Sequence, residues 1–129
     1  MSAAEALAGA AGAALAGVAG LAVHGGPPLQ AAFPHAIVET GPESDWSHKS
    51  GAGRELRLAV TIRDRGERPD RLRHLTAQAE AAVAAVEAVE GWQLVTLRFV
   101  RSRIVAPARG GAEAEWAGVI EYRARLLAA

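Results

Sequence analysis

Residues Arg54 to Arg63 read RELRLAVTIR, in which Leu56, Leu58, Val60 and Ile62 alternate with Arg57, Ala59, Thr61 and Arg63. Alternation with period two marks a β-strand that turns one face to a core and leaves the other open. A strand this apolar on one side must be covered from within the chain, so the flanking sequence has to supply a helix and further strands. Both are present.

Downstream, from about Glu67, Pro69 and Asp70 open a helical pattern in its first turn. Leu72, Leu75, Ala79, Ala82, Val83, Val86 and Val89 recur at spacings of three and four, which predicts one apolar helix face ending at Gly91. Trp92–Val105 follows as a long strand, with Val95, Leu97 and Phe99 expected on one face and Leu94, Thr96, Arg98 and Val100 on the other. Pro107–Ala112 forms a turn, and Glu113–Leu127 a last strand that pairs with its predecessor as a hairpin.

Upstream, Ser2 caps an alanine-rich helix that is expected to run over 2–22, with Glu5 in the capping-box position. Gly9, Gly12, Gly17 and Gly20 each cost such a helix about 1 kcal/mol relative to alanine, so packing has to sustain it. His24-Gly25-Gly26-Pro27-Pro28 stops it. His35–Thr40 reads as a short strand ended by Gly41-Pro42, and Glu43–Gly53 as a polar loop whose Trp46 either folds back on the core or anchors another chain. The sum is an α+β fold, a single domain over 1–129 with its core over 29–127: an antiparallel or mixed four-stranded sheet with two helices packed on one face.

Composition narrows the function. The 129 residues hold 14 basic and 14 acidic side chains, so overall charge predicts no capture by nucleic acid or an anionic membrane. There is no cysteine, which excludes disulfides and thiolate chemistry and fits assembly in the bacterial cytoplasm. Ala6–Val23 is uncharged but built mainly from alanine and glycine, which argues for a soluble helix and no membrane partner.

Chemistry is equally sparse. His24, His35, His48 and His74 show no paired metal-ligand spacing, and the acidic pairs Glu43/Asp45 and Glu113/Glu115 flank turns. Neither Gly51-Ala52-Gly53 nor Gly110-Gly111 stands between a strand and a helix as a nucleotide-binding loop would. No catalytic residue, cofactor or metal is expected. Arg98, Arg101, Arg103 and Arg109 cluster late in the chain without a recognition helix or interleaved aromatics, which allows at most transient contact with a nucleic-acid backbone.

Taken in order, several fragments resemble the tail-terminator or tail-completion family of long-tailed phages and gene transfer agents. They are Phe33-Pro34-His35-Ala36-Ile37-Val38-Glu39-Thr40-Gly41, the Asp45-Trp46-Ser47-His48-Lys49 loop, the Arg54–Arg63 strand, the Arg65-Gly66 turn and the closing Tyr122-Arg123-Ala124-Arg125. Where members of that family often carry a tryptophan-serine step, this chain has Arg63-Asp64, and its first helix is unusually rich in glycine.

The resemblance implies a structural protein: a homo-hexameric ring stacked on the tail tube protein and joined to a head-side stopper or connector protein, with DNA passing through the lumen as non-specific cargo. It further implies assembly in the bacterial cytoplasm and release with the particle. Trp46, His48, Lys49, Arg57, Arg63, Arg98, Arg101, Arg103, Arg123 and Arg125 are the expected subunit or tube contacts. Alternatives are another neck protein of the same particle, or a small α+β dimer that binds an apolar metabolite between helix and sheet.

Overall fold

The computed structural model describes residues 1–26, 32–106 and 114–129. Its elements are α1 (Ala3–Leu15), β1 (Ala22–His24), β2 (His35–Asp45), β3 (Gly53–Arg65), α2 (Asp70–Ala84), β4 (Trp92–Val105) and β5 (Glu115–Ala128). The strands form one sheet in the order β1-β2-β3-β5-β4. β1 runs parallel to β2, and every other pairing is antiparallel. The expected four-stranded sheet is therefore five-stranded and mixed.

The fifth strand arises because α1 stops early. Ser2 caps it as expected, its hydroxyl accepting a hydrogen bond from the Glu5 amide at 3.1 Å. After Leu15, however, the chain closes short turns, with the Gly17 amide donating to Ala14 O and the Val18 amide to Leu15 O. Gly20 adopts φ +79°, a conformation that suits glycine and ends helical geometry. Val18 and Leu21 stay buried, so these apolar positions reach the core without a helix, and Ala22–His24 is released to pair with His35–Ile37.

Packing follows the alternation in β3. Leu56, Leu58, Val60 and Ile62 are at most 1% exposed and meet Leu7, Ala11 and Leu15 of α1 and Leu72, Leu75, Ala79 and Val83 of α2 in a single cluster. Burying each such leucine, valine or isoleucine contributes about 1.5–3 kcal/mol as an upper estimate. β5 adds Ile120, Tyr122, Ala124 and Leu126. Both helices thus cover one face of the sheet, and the other face is open.

Two further boundaries differ from expectation. α2 spans Asp70–Ala84 with Pro69 as its N-cap residue, and the chain beyond turns through Val89 and Gly91, whose φ is +76°. Val89 is buried there without being helical. β2 does not end at Gly41-Pro42: a bulge absorbs these residues and pairing resumes at Glu43↔Leu56. The predicted turn Pro107–Ala112 lies outside the described residues, as does Glu113.

β4 corrects the sequence pattern most. Its register with β5 slips between Leu94 and Thr96 and again between Phe99 and Arg101. Each slip leaves one residue, Val95 or Val100, without a partner and inverts the phase of alternation. Leu94, Leu97 and Phe99 consequently share the helix side, opposite Leu126, Ala124 and Tyr122. Val95 and Val100 are the bulged residues instead.

One close approach sets the distance between α2 and the sheet. A Cβ at Gly118 would collide with Thr76 Oγ1 and lie 3.4 Å from Ile104 Cδ1. Glycine here lets the helix seat directly on β5.

Candidate assembly interface

The open face is built by the outward residues of β2, β3, β5 and β4, and the register places them in rows. Arg57 stands opposite Arg123, which stands opposite Arg98, so three arginines cross β3, β5 and β4 side by side. On one side of them lie Glu55, Arg125 and Thr96, and on the other Ala59, Glu121 and Arg101. Further along come Thr61, Val119 and Arg103, then Arg63 and Ala117.

Seven of the expected contact residues, Arg57, Arg63, Arg98, Arg101, Arg103, Arg123 and Arg125, are thereby brought onto one surface. With Arg65 the described open face holds eight arginines against four glutamates, Glu39, Glu55, Glu115 and Glu121. Zero net charge for the whole chain therefore conceals a cationic face. A sum of charges carries no information about position; the register supplies it.

Part of this charge is paired. Arg125 Nε donates to Glu55 Oε2 at 2.7 Å, Arg63 Nη1 donates to Glu115 Oε1 at 3.1 Å, and Arg101 Nε donates to Glu121 Oε2. The hydrogen bond from Arg125 holds the Glu55 carboxyl below the usual carboxylate range, helped by the charges of Arg125, Arg123 and Arg57 and opposed by desolvation. Arg101 does the same to Glu121, with Arg103 and Arg57 adding smaller effects. Among the described residues, Arg57, Arg98, Arg103 and Arg123 have no carboxylate within 4.0 Å.

The remaining expected contacts sit at one end of this face, in the β2–β3 loop. Trp46 is half-buried, its ring 4.5 Å from that of His48 and 5.4 Å from the Arg125 guanidinium. It folds back on its own chain in part, while His48 and Lys49 are exposed. Gly53 is required beneath the loop, since a Cβ there would collide with the Trp46 carbonyl and lie 2.8 Å from Leu127 Cδ2.

Two groups went unseen in the sequence. Asp64, buried at 4% exposure, accepts from Arg71 Nε at 2.8 Å and from the Arg65 amide at 2.9 Å, tying the end of β3 to the first turn of α2. Beside it the Trp116 indole donates to Gly66 O at 3.0 Å. At the far end of the open face the rings of His24 and His35 meet at 5.7 Å, Phe33 packs on His35 at 5.0 Å, and Arg65 lies over Phe33 at 4.3 Å. Only β1, which was not foreseen, brings His24 there.

Among the described residues no three metal-ligating side chains converge, and no helix is long and apolar enough to cross a membrane. The surface offers charge, aromatic edges and exposed strand, the material of a protein contact.

No curated protein matches the chain. A solved structure described as "Virion of native gene transfer agent (GTA) particle" shares its fold, with a TM-score of 0.63 and 24% identity, covering 95% of this chain and 96% of that one. The family model for tail completion protein gp17 matches residues 3–126. At that coverage the chain belongs to the tail completion protein gp17 family, whose members are structural parts of a virion tail and not enzymes.

Proposed function

We propose that this protein is the tail terminator of a long-tailed phage, a prophage or a gene transfer agent. Six copies form a ring on the last ring of the tail tube protein, halt tube growth and join the tail to the head-side connector protein. DNA passes through the lumen without being read. The subunit is assembled in the bacterial cytoplasm and leaves with the particle.

The observation that carries this proposal is the match of the tail-completion family to nearly the whole chain, residues 3–126. The likeness of fold to a chain of a gene transfer agent virion supports it. The cationic face refines the orientation. Phosphate contacts would retain DNA in a salt-dependent way, so the arginine rows are better used against protein than turned to the lumen. A ring also needs two different surfaces on each subunit.

Deleting the gene tests the proposal. Electron microscopy of particles from the deletion strain should show tubes of uncontrolled length or tails without heads. Normal tails joined to heads would contradict it.

A further inference from the structure

The two sides of the sheet carry opposite, unmixed charge. β2 holds Glu39, Glu43 and Asp45 and no arginine or lysine. β4 holds Arg98, Arg101 and Arg103 and no carboxylate. Between them, β3 and β5 each carry both signs. A chain of zero net charge is in this way made electrostatically directional across its sheet.

Both sides are also uncovered. β1 pairs only with His35–Ile37, so the outer side of β2 beyond Ile37 has no ladder partner among the described residues, and Glu39–Asp45 is exposed throughout. β4 is the terminal strand on the opposite side. Its Arg98–Arg103 segment is exposed, including Phe99 at 50% and Val100 at 42%. A long edge strand with apolar side chains invites a partner unless something covers it. On β2, Pro42 lacks an amide hydrogen and sits in the bulge between Thr40 and Glu43, so that side cannot extend a continuous ladder. Side-chain pairing is the contact it can make.

We propose that the acidic outer side of β2 in one copy receives the arginine edge of β4 in a second copy, head to tail. The contact rests on the ring reading above and names the two surfaces that such a ring would join. Glu39, Arg98 and Arg103 carry it, because Arg101 is held by Glu121 and Glu43 lies 3.9 Å from Arg54. Like edges repel, which disfavours a symmetric dimer and leaves the heterologous arrangement that can close into a ring.

The absence of native cysteine makes the test direct. Particles carrying Glu39→Cys and Arg98→Cys in the same chain are treated with a bismaleimide cross-linker and run on a denaturing gel. A ladder of oligomers is expected from the double variant, and monomer from each single variant. Monomer alone from the double variant, in particles that contain the chain, would overturn the edge contact while leaving the ring reading intact; a dimer from either single variant would overturn it in favour of like-edge pairing. Loss of the wild-type chain from particles would overturn both.

A second arm reverses charge. Arg98→Glu with Arg103→Glu should abolish incorporation into particles, and adding Glu39→Arg to that chain should restore part of it. Circular dichroism of each purified variant separates misfolding from lost contact. Undiminished incorporation of the Arg98→Glu, Arg103→Glu chain, with reduced DNA delivery, would assign the arginines to nucleic acid and overturn the proposal.

Discussion

Arg98 stands directly opposite Arg123 on the open face, and Arg123 directly opposite Arg57. Like charges at facing positions of adjacent strands are destabilising, by roughly 0.2–1 kcal/mol per pair. Replacing Arg98 by threonine, a good strand former, should therefore stabilise the isolated chain by about 0.2–1 kcal/mol. The gain should shrink at high salt, where the repulsion is screened. Urea denaturation at two ionic strengths measures it. A loss of stability would mean that Arg98 has an attractive partner within the subunit.

Gly118 and Thr76 mark the tightest contact between α2 and the sheet, and Thr76 Oγ1 is buried without a hydrogen-bond partner. Gly118→Ala should cost about 1–3 kcal/mol through overpacking. Thr76→Val, which keeps the shape and removes the orphaned hydroxyl, should be neutral or stabilising by up to about 1 kcal/mol. Thr76→Ala in the Gly118→Ala background should recover part of the loss, because the two sites are in contact and their effects are coupled. Thermal denaturation of wild type, Thr76→Ala, Gly118→Ala and their double variant checks the cycle, with Thr76→Val measured beside them.

Asp64 is buried, while Arg71 keeps its side chain 59% exposed. Arg71→Ala removes the only cation within 4.0 Å of Asp64 among the described residues and strands a carboxylate in the core. The denaturation midpoint should fall. It should fall less for Asp64→Asn with Arg71→Gln, which leaves neutral groups that can still hydrogen-bond.

Glu55 and Glu121 have carboxyl groups held below their ordinary range by Arg125 and Arg101. A depressed native pKa gives stability that is fully present above the unfolded-state value, about 4.3 for glutamate, and is lost as pH falls through the native value. Stability should thus decline on acidification below about pH 4, modestly because both ion pairs are solvated. Glu55→Gln with Glu121→Gln should flatten that decline. Urea midpoints measured between neutral and acidic pH test the difference, and an unchanged slope would assign the acid sensitivity to other carboxylates.

How much of this was legible varies with the physics of each element. β3 announced itself because Leu56, Leu58, Val60 and Ile62 face one core, and α2 because Leu72, Leu75, Ala79 and Val83 do the same at helical spacing. β4 misled because bulges at Val95 and Val100 invert alternation twice, and a bulge has no consistent residue signature. α1 looked longer than it is, since Val18 and Leu21 are buried whether or not the chain around them is helical. The insertion of β5 between β3 and β4 could not be seen in chain order.

For the candidate interface, each arginine could be nominated from the strand faces, but the row Arg57, Arg123, Arg98 exists only once register is known. The same holds for the charge difference between β2 and β4. Local sequence shows that β4 is basic, whereas only topology shows that β2 and β4 lie towards opposite sides of one sheet.

The most direct measurement of the central claim is a cryo-electron microscopy reconstruction of the intact particle at side-chain resolution. The account predicts six copies of this chain in a single ring at the head-proximal end of the tail tube, in contact with both tube and connector. Its placement elsewhere in the particle, or a particle whose tube ends without it, would contradict that claim.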